Sequence, residues 1–439
     1  MRITKHSPRA SEQRFAAYLD LLSGALGHAD RIAPLHAYCT GLLVPGERKS
    51  VEPMAARVDP AHVQARHQSM HHFVARAPWK DEDMLAAVRF YALPTLERQG
   101  GIQSWSVDDT GLPKKGQHSV GVARQYCGQL GKQENCQVAV SLSVASKEAS
   151  VPVAFRLYLP KEWAEDPQRR DKAGIPPEVQ FQTKPQIALE QIRAALEAGV
   201  PKALVLADAA FGNDTAFRDQ LTQWGLRYAV GIQPTTSVWP QGSGPLPPAP
   251  YQGRGQPPKR LRRDAQHQPL SVQKLALGLS ADAYQTVAWR SGAKGVLQSR
   301  FAAVRVRAAH RDYQRQRPRD EQWLVIEWPE EEGAPTKYWL STMPKNISLK
   351  RLVGAIKERW HIERDYEELK QEIGLGHYEG RGWRGFHHHA TLSIAAYAFL
   401  VAERGLFPPS SPRRSPRLPA PALPQGQKPR GASAAARAA

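Results

Sequence analysis

The order of elements in the sequence predicts an α/β protein with a mixed sheet, preceded by a helical region. Three observations carry that expectation. Residues 12–95 place apolar side chains at helical spacing, as in FAAYLDLLSGAL (15–26) and DMLAAVRFYAL (83–93). From about residue 102 the period changes to two, in IQSWSVDD, CQVAVSLSVAS (136–146) and VPVAFRLYLP (151–160). The alternation in QVAVSLSV suits a sheet with one buried face. Helix and strand then take turns: a helix over 185–198, the strand KALVLAD (202–208), a helix over 213–224 and the strand RYAVGI (227–232). The first three strands are expected to pair antiparallel, and the later ones to be joined by crossovers.

Beyond residue 233 the pattern is broken. Residues 234–263 contain eight prolines and end in a basic cluster from Lys259 to Arg263, which reads as a loop. Further strands are expected at 283–290, 299–309 and 321–328. Ser348 is a plausible N-cap for a helix whose apolar stripe starts at Leu349 and Leu352 and which runs to about Ile373. A second helix covers roughly 388–404. Residues 406–439 hold eight prolines, six Lys or Arg and no acidic residue, the composition of a disordered basic tail.

The chain of 439 residues carries 60 Lys plus Arg against 41 Asp plus Glu, a formal charge of +19. A balance this positive points to a polyanion, most commonly nucleic acid. No run of about 18 apolar residues occurs, so no membrane-spanning helix is expected. The opening MRITKHSPRASEQRF has no apolar run behind its basic residues, so no secretory leader is expected either. Three cysteines, Cys39, Cys127 and Cys136, make no disulfide framework, and a reducing compartment follows.

Candidate chemistry sits at strand ends. Asp108 and Asp109 close the first strand, and Asp208 closes the apolar run LVLA. Ligands of open α/β sheets gather beyond the carboxyl ends of strands, and two carboxylates delivered there by different strands can meet. Strand-end aspartates are also common turn formers and helix N-caps. In the later helix, KERWHIERDYEELKQEIGLG, Arg359, Glu363 and Lys370 lie along one face. An amphipathic helix with an i,i+4 ion pair would show the same spacing.

These residues resemble the DDE-type transposases of bacterial insertion sequences, whose catalytic domain has the RNase H-like fold. One large group carries the motif Y-x2-R-x3-E-x6-K. Here Arg359, Glu363 and Lys370 keep its spacing, while Ile356 stands at the Tyr position. The blocks SVDDTGLPKKGQHSVGVARQYC and LVLADAAFGND resemble the regions of the first and second catalytic Asp. The resemblance implies an RNase H-like mixed sheet interrupted by a β-rich insertion. The chain then divides into a helical region that binds DNA ends (1–95), a first catalytic part (96–233), the Pro-rich loop and insertion (234–328), a second catalytic part (329–405) and the tail (406–439).

It further implies that Asp108, Asp208 and Glu363 are the catalytic carboxylates and the ligands of two divalent ions, Mg2+ with Mn2+ as an alternative. Asp109 is the alternative to Asp108, and Glu367 to Glu363. Two such ions about 3.5–4 Å apart suit phosphodiester cleavage and strand transfer, and hard cations take carboxylate oxygens. The expected partner is double-stranded DNA, both element ends and target, bound by a homodimer in the bacterial cytoplasm at the nucleoid. Arg359 and Lys370 become phosphate contacts beside the metals, Arg381 and Arg384 further DNA contacts, and Tyr366 a residue able to reach a nearby surface. A DNA-binding derivative that no longer cuts, or an RNase H-like nuclease that does not transfer strands, would share most of these features.

Other signals weigh less. The segment Lys114–Lys132 reads as a flexible hairpin touching the DNA backbone through Lys114, Lys115, Arg124 and Lys132, or as a plain surface loop. His387, His388 and His389 are consecutive on a helix and point 100° apart, so they cannot all face one zinc ion. Trp289, Trp323, Trp328 and Trp339 read as core residues.

Overall fold

The computed structural model describes residues 8–292 and 295–407. The tail expected over 406–439 lies outside the described residues from 408 onward. Twelve strands are described: β1 (Ser104–Pro113), β2 (Ala123–Cys127), β3 (Lys132–Ala145), β4 (Ser150–Leu157), β5 (Leu204–Ala207), β6 (Tyr228–Ile232), β7 (Ser237–Pro240), β8 (Leu270–Ser271), β9 (Gln285–Gly292), β10 (Gly295–Ala308), β11 (Gln322–Trp328) and β12 (Lys337–Ser341). They form one sheet in the order β2-β3-β1-β5-β6-β12-β11-β10-β7-β8, with β4 also on β3 and β9 on β10.

The antiparallel opening is as the sequence implies: β1 pairs β3, and β3 pairs both β2 and β4. β5 then lies parallel to β1, and β6 parallel to β5. The connection from β4 to β5 contains the helix Lys184–Glu197, opened by a capping box in which Thr183 and Gln186 satisfy each other's backbone N–H. This is a mixed, RNase H-like sheet. The strands of the later segment extend it: β12 pairs antiparallel with β6, β11 with β12, and β10 with β11.

The Pro-rich segment behaves as an anchored loop. It starts from β7, and Leu246 bridges Arg262. Buried Asp312 accepts hydrogen bonds from Trp239 Nε1 (2.6 Å) and Arg263 Nε (2.9 Å), which fastens both ends of the loop to the sheet.

Five helices, Pro8–Ser23, Ile32–Leu43, Val51–Val58, Val63–Ala75 and Asp81–Arg98, precede β1. They pack around the long helix Trp383–Leu406, and the two regions share one core. Tyr18 donates to the Ala395 carbonyl (2.9 Å), Arg14 pairs with Glu403 (2.6 Å), and Thr391 donates to Asp81 (2.7 Å). No helix of the described residues is long and apolar enough to cross a membrane.

The three consecutive histidines on that long helix are all buried and engaged with backbone or side-chain groups. His387 donates from Nδ1 to the Trp383 carbonyl and accepts the Leu157 N–H at Nε2. His389 donates from Nε2 to the Gly374 carbonyl and accepts the Tyr38 hydroxyl at Nδ1. Each of these two rings is satisfied as a neutral tautomer, assigned from its partners. Burial pushes both down to about 4 from an ordinary 6.5. Because the folded value lies below the unfolded one, the stability they contribute is full above pH 6.5 and is lost as pH falls towards 4. Each should contribute about 2 kcal/mol less at pH 5 than at pH 7. The check is thermal unfolding at both pH values: a His387→Gln, His389→Gln double variant should lose less stability on acidification than the parent chain.

The expected single helix from Ser348 to Ile373 is instead broken. Ser348 caps Leu349–Lys357, accepting the Arg351 N–H, a tight turn follows at Glu358 and Arg359, and a second helix covers Trp360–Glu368. A wider turn, Leu369–Ile373, ends at Gly374 with φ of 83°. The break falls where two neighbouring side chains are held from different sides. Lys357 is held by Glu327 on β11 (2.8 Å), and Arg359 by Asp108 on β1 (2.6 Å).

Candidate functional site

β1 and β5 are adjacent and parallel, with Val107 opposite Ala207. The next residue on each side is a carboxylate, on neighbours spaced about 4.8 Å apart. Asp208 stands just past the end of β5. Asp108 stands midway along β1, which the sequence predicted to end there but which runs on to Pro113, because β3 pairs with it over its whole length. Asp208 also caps the short turn of helix Ala209–Gly212, accepting the Ala210 N–H at 2.9 Å. That turn lies hard against β6 at two glycines. A Cβ on Gly212 would meet the Gly231 carbonyl oxygen at 1.9 Å, and one on Gly231 would meet the Ala209 nitrogen at 2.9 Å. Only glycine at both positions lets the Asp208 turn sit this close to the sheet.

Successive residues of a strand point to opposite faces, which separates the two candidate aspartates. Asp108 faces the Trp360–Glu368 helix and receives Arg359 Nη1 at 2.6 Å. Asp109 faces the other way and is ion-paired with Lys184 at 2.7 Å, on the helix Lys184–Glu197. Glu363 completes the group from the helix: Arg359 Nη2 reaches its Oε1 at 2.8 Å. One guanidinium thus ties Asp108 to Glu363, with Asp208 near enough to act on both Asp108 and Arg359. Glu367, one turn further along, is exposed.

The remaining motif positions are occupied as follows. Lys370 donates to the Gly111 carbonyl of β1 (3.0 Å), which fastens the turn after the helix to the sheet, and it lies near enough to Asp108 to feel its charge. Ile356, at the Tyr position, is buried in a small apolar cluster with Leu352, Val353 and Leu206. Tyr366 does not reach a surface: it is buried, and its hydroxyl shares a 2.7 Å hydrogen bond with Ser141. The helix packs on β1 and β4, and Tyr366 meets Ser141 on β3 between them.

The electrostatics are those of a site with too much negative charge. Burial pushes the Asp108 carboxyl up to about 7, Asp208 and Asp109 push the same way, and Arg359 only partly offsets them. Burial works to lower the Arg359 pKa, but Asp108, Glu363 and Asp208 together raise it above its ordinary value. Among the described residues, no three of His, Cys, Asp and Glu stand drawn together to hold a metal ion. A cation nevertheless already sits between two of the carboxylates, the Arg359 guanidinium. The donor set is all carboxylate oxygen, a chemistry that suits hard divalent ions.

Beside Asp208 and Glu363 opens a cavity of about 460 Å³. It is lined by Trp289 and Arg290 from β9, Trp339 from β12, and Trp360. Arg290 lies over the Trp360 ring at 4.2 Å, and Lys357 over Trp289 at 4.4 Å. Trp289, Trp323, Trp328 and Trp339 are half-buried where the sequence suggested core; Trp289, Trp323 and Trp339 pack against the edge of the apolar cluster under the Leu349–Lys357 helix. Of the expected DNA contacts, Lys115 and Arg381 are exposed. Lys114 donates to the Tyr378 carbonyl (2.7 Å), and Arg384, also exposed, to the Arg76 carbonyl (2.8 Å). Arg381 lines a cleft with His118, Arg169 and Lys172. Two ion pairs at the site escaped sequence reading, Lys184 with Asp109 and Lys357 with Glu327. Their partners are 75 and 30 residues apart, and no local spacing signals them.

Asp108 on β1, Asp208 just past the adjacent parallel β5 and Glu363 on a helix across them stand together on an RNase H-like mixed sheet. A family model described as DDE superfamily endonuclease matches residues 21–296, more than half of the chain, and the chain belongs to that family. Dependence on divalent metal goes with it. The matched span includes Asp108 and Asp208 and stops before Glu363. A probable transposase for the insertion sequence element IS701, from Microchaete diplosiphon, is 33% identical over 167 residues. That alignment covers 38% of this chain and 40% of the relative.

Proposed function

We propose that this chain is a transposase that cuts DNA at the terminal inverted repeats of an insertion sequence and joins the freed ends to a target. The observation that carries the reading is the in-register placement of Asp108 and Asp208, with Glu363 held to the same guanidinium as Asp108. Family membership and the likeness to an insertion-sequence transposase support it. Asp108, Asp208 and Glu363 would hold two divalent ions, Mg2+ or Mn2+. Bound there, the ions would activate a water or 3′-OH nucleophile and neutralise charge at the scissile phosphate.

The chain's own groups have separate parts. Arg359 leaves the carboxylates and turns to the phosphate backbone, where a planar guanidinium pairs well. Lys184 keeps Asp109 on the opposite face of β1. Arg290 and the tryptophans of the adjoining cavity flank the scissile strand, and Lys115 and Arg381 meet the backbone further out. The positive charge of the chain favours DNA over long range. A homodimer on paired ends, in the cytoplasm, is the assembly this reading calls for.

The deciding experiment incubates the chain with labelled element-end DNA, a supercoiled target and Mg2+. Cleaved ends joined to the target are the expected products. Cleavage without joined product would leave a nuclease of the same fold, and binding with neither would leave a DNA-binding derivative. In the host sequence, inverted repeats with short direct duplications should flank the gene.

A further inference from the structure

We propose that Asp365 is a positioning residue, which fixes the rotation of the Trp360–Glu368 helix so that Glu363 faces Asp108. The inference rests on the reading of Glu363 as a metal ligand and adds a residue that the motif does not contain.

Asp365 follows Glu363 by two residues, about 200° around a helix of 3.6 residues per turn. The two carboxylates therefore face opposite ways. Glu363 keeps 62% of its side chain exposed, whereas Asp365 is fully buried. Its Oδ1 accepts hydrogen bonds from Ser150 Oγ on β4 and from the Tyr397 hydroxyl (3.0 Å) on the long C-terminal helix. One oxygen atom thus joins three elements behind the site.

Such a group is a poor choice for stability alone. A buried carboxylate carries a desolvation penalty, and apolar residues of similar size often do as well or better. What directional hydrogen bonds add is registry: two fixed donors tolerate one orientation of the helix, whereas an apolar contact tolerates many. Two further bonds hold the same helix on its sheet side, Tyr366 to Ser141 (2.7 Å) and Lys370 to Gly111 (3.0 Å). Neither of them reaches β4 or the C-terminal helix; Asp365 reaches both from a fully buried position, beside the more exposed Glu368–Arg404 ion pair to the C-terminal helix and the Ser150 hydroxyl on the His361 carbonyl. With side chains about 6 Å from a helix axis, a rotation of roughly 20° would carry the Glu363 carboxylate by about 2 Å. Misplacement by about 1 Å can already lower a rate about 10²-fold.

The test uses the full chain and Asp365→Leu, with Mn2+ affinity measured without DNA, cleavage of element-end DNA, and the melting temperature. Asp365→Leu should melt within a few degrees of the parent chain, bind Mn2+ at least tenfold more weakly, and lose kcat with little change in KM. Asp365→Asn, which keeps an oxygen acceptor, should recover most of the affinity. If Asp365→Leu does not fold, the double variant Ser150→Ala, Tyr397→Phe removes both donors and leaves the carboxylate in place. It should show the same loss of Mn2+ binding. Glu363→Gln serves as the reference. Parent-like Mn2+ affinity in Asp365→Leu or in the double variant, alongside loss in Glu363→Gln, overturns the positioning role alone. Parent-like affinity in Glu363→Gln overturns the ligand reading and the inference with it.

Discussion

Glu363→Gln should lower metal-dependent cleavage of element-end DNA by at least about 10³-fold, equivalent to roughly 4 kcal/mol of transition-state stabilisation. The substitution keeps the shape of the side chain and its ability to accept from Arg359, so the fold and the DNA-binding surface should be untouched. Binding of end DNA, measured by gel shift in the absence of metal, should stay within a few-fold of the parent chain. Asp208→Asn should behave alike, because the amide oxygen can still cap the Ala209–Gly212 turn through the Ala210 N–H. Full cleavage by either variant would remove the assigned carboxylate from the mechanism. Loss of cleavage together with loss of DNA binding would point to a folding defect instead.

Proton uptake should govern metal binding. Asp108 is pushed up to about 7 by burial, with Asp208 and Asp109 adding to it. An ion binds the carboxylate and must displace the proton. Below pH 7 the apparent Mn2+ association constant should therefore rise about tenfold per pH unit, and above pH 7 it should level off. The metal-free protein should show the opposite trend. A folded value above the unfolded 3.8 means that the stability contributed by protonated Asp108 is full below about 4 and is lost as pH rises through 7. Mn2+ titration calorimetry between pH 5.5 and 8.5 checks the first claim. Asp108→Asn should bind weakly throughout, with a flat pH profile. A steep profile in that variant would place the titrating group elsewhere.

The place of Asp208 is legible because a carboxylate closing an apolar run is a local signal, whereas the run ending at Asp108 hides a strand that continues to Pro113. Glu363 was legible only through its spacing from Arg359 and Lys370, and that spacing did not say what each partner touches. Arg359 reaches Asp108 across 251 residues and Lys370 reaches Gly111 across 259. Contacts of that separation leave no trace in a window of sequence. Asp365 was hidden for another reason: in a run as charged as ERDYEELK, a buried carboxylate cannot be told from its solvated neighbours. The break after Lys357 was missed because no proline or glycine marks it, and it coincides with two long-range ion pairs. Asp108 and Asp109 part by sheet face, which the alternation of a strand supplies once its neighbours are known.

The continuity of the sheet through β6 and β12 bears on how this chain could be shortened. An inserted module with its own core can be cut away at its two ends. Here the excision of 234–336 would strip the Trp289 and Arg290 wall from the cavity. It would also remove the strands beyond β12 that cover its outer edge, and a bare edge of this kind invites pairing with another chain. Trimming the middle of the protein should therefore yield aggregates, not a smaller nuclease.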